Sequence, residues 1–95
     1  MLVAPRGDVP LVGILDMTIA TPEGIIFEGK VESAKFPGVM GSFTVLPRHA
    51  SLISALTEGK VNYTQEGMST DVAIQGGFVE IKDNVISACV EIIDP

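Results

Sequence analysis

The chain has 95 residues, enough for one domain. Hydrophobic residues make up 46% of it, enough to fill a core without disulfides or metal, and this composition argues against disorder. The formal net charge is −6, and the basic residues Arg6, Lys30, Lys35, Arg48, Lys60 and Lys82 are scattered, which disfavours nucleic acids and anionic membrane surfaces as partners.

Residues 1–15 (MLVAPRGDVPLVGIL) carry two prolines and neither a strand nor a helix period. They read as an extension ahead of a domain spanning 16–95; an ordinary first strand over Leu11 to Leu15 is the other reading. The apolar stretch is interrupted by Pro5, Asp8 and Pro10 and does not read as a signal peptide. No apolar run approaches the roughly 20 residues that a membrane-spanning helix needs.

From Asp16 onward, short strands alternate with turn signals. Met17 to Ala20 is a strand that ends at Thr21-Pro22-Glu23-Gly24. Ile25 to Phe27 follows, closed by Gly29; Val31 to Phe36 then runs to the turn dipeptide Pro37-Gly38. Ser42 to Leu46 is stopped by Pro47. Ala50 to Leu56 fits a strand better than a helical turn. Lys60 to Gln65 and Met68 to Gln75 form a hairpin about Glu66-Gly67, with Val61 and Tyr63 on one face and Val72 and Ile74 on another. Gly76-Gly77 marks a bulge or a close backbone approach. Phe78 to Lys82 alternates, Asp83-Asn84 turns the chain, and Ile86, Ala88, Val90 and Ile92 line one face of a last strand. The expected fold is all-β: a flattened, nearly all antiparallel sandwich of about ten short strands in two packed sheets.

Little in this pattern suits catalysis. His49 is the only histidine, and no serine near it sits in a nucleophile elbow. Glu23, Glu28, Glu32, Asp71, Glu80 and Asp83 are spread over many strands and turns and read as solvated faces. No glycine pattern satisfies a phosphate-binding or dinucleotide fingerprint. Cys89, the single cysteine, has no disulfide partner and no zinc-ligand spacing around it; it reads as a buried structural thiol in a reducing compartment. No catalytic, cofactor-binding or metal residues are expected. A ligand- or carbohydrate-binding sandwich is the competing reading, disfavoured because the chain has no Trp, one Tyr and four Phe for a stacking platform.

The order and spacing of several motifs carry more information than any one of them. Pro37-Gly38-x-x-Gly41-x-Phe43-x-Val45-Leu46-Pro47-x-His49-Ala50-x-Leu52, then Gly76-Gly77-Phe78-x-Glu80 and Asn84-x-Ile86, with Thr21-Pro22-Glu23-Gly24…Phe27-x-Gly29 ahead of them, resembles the N-terminal domain of the F-type ATP synthase epsilon subunit. The resemblance runs from about Asp16 to Glu91. It implies a non-catalytic β-sandwich of the central stalk that holds the gamma subunit, rests on the c-ring and rotates with both. Carried over by motif position, it implies c-ring contacts at Gly41, Ser42, Arg48 and His49. It also implies a gamma-facing apolar patch at Ile26, Ile53 and Phe78, with Thr21 and Ser54 at its margin. Ser42 stands where some relatives carry an acid, and Ser51 where proline is frequent. Family members append a C-terminal helical hairpin that would begin near Pro95; no nucleotide site is expected within these residues. The implied location is the cytoplasmic face of a bacterial plasma membrane, reached only through the complex.

Overall fold

The computed structural model describes residues 13–92, and all its regular structure is strand. Eight strands follow in chain order: β1 Leu15–Thr21, β2 Gly24–Val31, β3 Ser33–Gly38, β4 Gly41–Val45, β5 Leu52–Leu56, β6 Gly59–Gln65, β7 Met68–Lys82 and β8 Val85–Ile92. They hydrogen-bond in the order β2-β1-β8-β7-β5-β3-β4, with β6 paired to both β3 and β7. Every pairing is antiparallel except β1 with β8, which is parallel.

β7 belongs to both layers of the sandwich. Its first half pairs with β6, and its second half lies between β5 and β8. One layer is therefore β2-β1-β8-β7-β5, the other β4-β3-β6 with the start of β7. Period-2 alternation, interrupted by bulges in β2 and β7, sends one face of the strands between the layers. Leu15, Met17 and Ile19 of β1, Phe36 of β3, Val61 of β6, Ile74, Val79 and Ile81 of β7, and Ile86 and Ala88 of β8 are all at most 1% exposed. No charged or polar residue is buried among the described residues. The Phe27 and Tyr63 rings meet at a centroid distance of 4.3 Å at the core's edge.

Several strand boundaries differ from those expected from sequence. The two segments on either side of Gly76-Gly77 are one 15-residue strand, which is the main reason for eight strands rather than about ten. The expected bulge is present: between Ile74 and Gly76 two residues of β7 answer one of β8. This extra residue switches the inward set from Val72 and Ile74 to Val79 and Ile81. β1 opens at Leu15, fully buried, two residues ahead of the expected start. Gly29 does not end β2. It lies opposite Met17, and a Cβ there would press on the Phe27 ring at 3.2 Å and Gln65 Nε2 at 3.3 Å, so it leaves room for neighbours. Pro37-Gly38 are the last two residues of β3, and Val39-Met40 make the turn.

Cys89 corrects the sequence reading outright: it is exposed. β8 alternates strictly, with Ile86, Ala88 and Val90 inward, so Cys89 faces out with Ser87 and Glu91.

Gly77 holds the bulge closed. Its φ is +148°, and a Cβ on it would lie 2.2 Å from Cys89 O and 2.8 Å from Val90 Cα. Gly77→Ala should therefore destabilise the domain by about 3 kcal/mol or more, lowering Tm by about 12 °C or more in a thermal melt. Gly41→Ala, at φ +127° with nothing within 4 Å, should cost markedly less.

Candidate functional site: an apolar outer face and a histidine loop

The two outer faces of the sandwich differ in chemistry. On the β4-β3-β6 layer, Thr44, Lys35, Asn62 and Asp71 stand side by side in register. Asn62 Nδ2 donates to Ser69 Oγ at 2.6 Å and to Asp71 Oδ1 at 2.7 Å. That face is polar.

The outer face of the other layer carries a cross-strand row with no charge. Ala55 on β5, Phe78 on β7, Cys89 on β8, Ala20 on β1 and Ile25 on β2 are successive register partners. Five strands at about 4.8 Å spacing give a row about 19 Å long. Phe78 is 63% exposed and Ile25 59%. The turn Val39-Met40 prolongs the row, because Val39 N donates to Ala55 O at 3.0 Å, and Met40 is 96% exposed. At the row, Pro22, Gly76, Gly77, Phe78, Cys89 and, with its carboxylate, Glu91 line a shallow groove of about 530 Å³. Exposed apolar side chains collected in this way are characteristic of surfaces that meet a partner.

Of the residues expected at an apolar patch, Ile53 and Phe78 lie on this face, Ile53 being 72% exposed. Ile26 is the extra residue of a bulge in β2 opposite Ile19 and Ala20, exposed at the end of the row. Thr21 follows Ala20, its Oγ1 donating to Gly24 O at 3.1 Å and accepting from Glu23 N. Ser54 sits apart. It is in register with the inward-facing Val79, and its Oγ donates to Ala55 O at 3.0 Å, so it lies on the other side of β5 from Ile53.

The four residues expected at a second contact fall into two groups. Gly41 and Ser42 open β4 beside the Val39-Met40 turn, whereas Arg48 and His49 lie beyond its other end. The strand between them is about 14 Å long. His49 N donates to Leu46 O at 3.1 Å, closing the turn after Pro47. His49 Nδ1 lies 2.7 Å from Ala50 O; a carbonyl only accepts, so Nδ1 donates in this contact and Nε2 is left to other partners. Among the described residues no other side chain hydrogen-bonds the ring, and no group of three His, Cys, Asp or Glu side chains could hold a metal ion. Nor does any helix among them reach the length and apolarity needed to cross a membrane.

One residue of this site escapes sequence reasoning. Asn84 Oδ1 accepts a 2.7 Å hydrogen bond from Arg48 N, and Asn84 O accepts one from Asp16 N at 2.9 Å. Arg48 has φ +70°, so the loop takes a left-handed step at the residue Asn84 clips. Asn84 itself has φ +64° in the two-residue turn between β7 and β8, a conformation asparagine tolerates. The motif Asn84-x-Ile86 carries the signal, but only as a turn residue. Asn84→Gly keeps the backbone conformation and removes the side-chain acceptor. It should cost about 1 kcal/mol and raise amide hydrogen exchange at Arg48 about fivefold, with Asn84→Asp restoring protection.

The model of the ATP synthase delta/epsilon chain β-sandwich domain matches residues 14–94. The ATP synthase epsilon chain of a Nitratiruptor species is 44% identical over 78 residues, covering 81% of this chain and 60% of that one. The epsilon chain of Desulfitobacterium hafniense is 33% identical over 85 residues, covering 90% and 64%. The chain thus spans about three-fifths of the length of these relatives. Among solved structures, a chain of the Euglena gracilis mitochondrial ATP synthase, OSCP/F1/c-ring in rotational state 1, has a TM-score of 0.79 at 21% identity over 94% of this chain and 59% of that one. A chain of the Tetrahymena thermophila mitochondrial ATP synthase central stalk/c-ring has a TM-score of 0.67 at 16% identity over 81% and 63%. At these identities the structures establish the shared fold. With a family model over nearly all the described residues and relatives above 30% identity, the chain belongs to the ATP synthase delta/epsilon family, as its β-sandwich domain.

Proposed function

We propose that this domain is a non-catalytic docking piece of the ATP synthase central stalk: its apolar outer face seats the gamma subunit, and its β4 edge meets the c-ring. The observation that carries the reading is the uncharged row through Ala55, Phe78, Cys89, Ala20 and Ile25 on a sandwich whose core is already complete. Phe78 and Ile53 contribute little to the core from where they stand, so their apolar area is available to a partner.

The second contact would run along β4, an edge strand, from Gly41 and Ser42 to Arg48 and His49. The groups offered there are hydrogen-bonding ones, including Nε2 of the His49 ring, which suits a polar partner loop. Two contacts on different sides of one close-packed body would let it transmit torque between ring and shaft, because such interiors deform little. In this reading the domain binds no nucleotide, holds no cofactor, and lies peripherally on the cytoplasmic face of a bacterial membrane through its complex. A sugar-binding role fits less well, since Phe78 is the one largely exposed aromatic ring among the described residues, where a stacking platform needs several.

Co-elution with purified gamma subunit and catalytic head on size exclusion tests the reading. The wild-type domain should elute stoichiometrically with them at micromolar concentration. Phe78→Ala should shift Tm by no more than a few degrees, because the ring is largely in water, yet weaken association by about 2 kcal/mol, roughly thirtyfold. A folded wild-type domain that does not co-elute, or a Phe78→Ala variant that binds as well as wild type, would contradict it.

A further inference from the structure

The loop that presents His49 holds a conformation its own sequence resists. His49 N donates to Leu46 O at 3.1 Å, closing a four-residue turn with Pro47 and Arg48 at its centre. Proline fixes the first central φ at about −65°, and Arg48 has φ +70°, a combination that belongs to the type II turn. The second central position of that turn lies in the left-handed region and favours glycine. A residue with a Cβ is strained there and persists only where its surroundings hold it. The turn therefore needs support from outside itself.

Among the described residues, one hydrogen bond ties residues 47–50 to a segment beyond the loop: Arg48 N donates to Asn84 Oδ1 at 2.7 Å. It reaches the strained residue itself. The acceptor stands on a fixed base, because Asn84 O accepts from Asp16 N at 2.9 Å and Lys82 is in register with Val85 across the hairpin. Asn84 also occupies a position that the backbone alone would give to another residue. Asp83 and Asn84 have φ +53° and +64°, the type I′ hairpin turn, whose second central position favours glycine. Glycine would serve that turn without strain. Asparagine adds one oxygen, and that oxygen is the one bonded to Arg48.

We infer that Asn84 is a positioning residue for the ring contact: it holds the Pro47-Arg48 turn in the form that presents Arg48 and His49. This role rests on the second contact proposed above. Gly41 and Ser42, the other half of that contact, are set by β4 itself. A partner that meets both halves needs their separation fixed, so affinity falls with the fraction of chains whose loop leaves the left-handed form. The apolar row shares no residue with this loop, so gamma binding is independent of Asn84.

Two affinities test it: the full chain for purified gamma subunit, and the chain–gamma complex for c-ring held in nanodiscs. Asn84→Gly keeps the turn and removes the acceptor. It should weaken ring binding about fivefold and leave gamma affinity within about twofold of wild type. Asn84→Asp, which keeps an acceptor, should restore ring binding. In an Arg48→Gly background the turn carries no Cβ strain, and adding Asn84→Gly should change ring binding by less than about twofold. Unchanged ring binding in Asn84→Gly, or no rescue by Asn84→Asp, would overturn the inference. Equal losses toward gamma and ring would also overturn it, making Asn84 a general structural residue. So would a fivefold effect that persists in Arg48→Gly, because the side chain would then act on the ring directly. A wild-type complex that forms with gamma but does not bind the ring would remove the second contact, and the positioning role with it, while leaving the apolar face intact.

Discussion

The architecture depends on the close approach of two backbones at Gly77. β7 must leave one layer and enter the other without breaking, and it does so by inserting one extra residue and bringing Gly77 against the carbonyl of Cys89. That single step changes which side of β7 faces the core. Before it, Val72 and Ile74 point inward; after it, Val79 and Ile81 do, and Phe78 and Glu80 are turned out to solvent. Without the bulge, continued alternation would have buried Phe78 and Glu80 and exposed Val79 and Ile81. The glycine pair therefore shapes the core and the outer face at once.

Much of the sandwich is legible in the sequence. Turn chemistry marks the Glu66-Gly67 and Asp83-Asn84 hairpins, and alternation marks β6 and β8. Errors come from reading residue types without their register. Cys89 looks interior as an apolar thiol, although the alternation of Ile86, Ala88 and Val90 already sets it on the opposite face. Phe78 is legible by the same reasoning: it shares its parity with Glu80 and Lys82, which require water. Gly29 looks like a strand end yet lies within β2, where it gives steric room, and Pro37-Gly38 closes β3 while Val39-Met40 make the turn.

The site is less legible than the fold because its organisation is tertiary. The motif around His49 gathers Gly41, Ser42, Arg48 and His49 within nine residues, but a strand runs between the two pairs and separates them. The clip from Asn84 to Arg48 joins positions 36 apart, which no local pattern encodes. The row from Ala55 to Ile25 draws on five strands, and its continuity follows from the non-sequential pairings of β5 with β7 and of β1 with β8, the latter parallel, which short-range patterns do not indicate.

The asymmetry between the outer faces is the strongest functional statement in the molecule. One side is polar, with Asn62 bonded to Ser69 and Asp71, and the other leaves an uncharged row in water. Cys89 lies in the middle of that row and is the chain's single thiol, so it reports directly on whether the face is covered. The decisive measurement is the rate at which a maleimide alkylates Cys89, followed by mass spectrometry, in the free chain and in the chain assembled with gamma subunit and catalytic head. The account predicts rapid labelling when free and strong protection when assembled. Equal labelling in the two states, with assembly verified, would place the partner on another surface and contradict it.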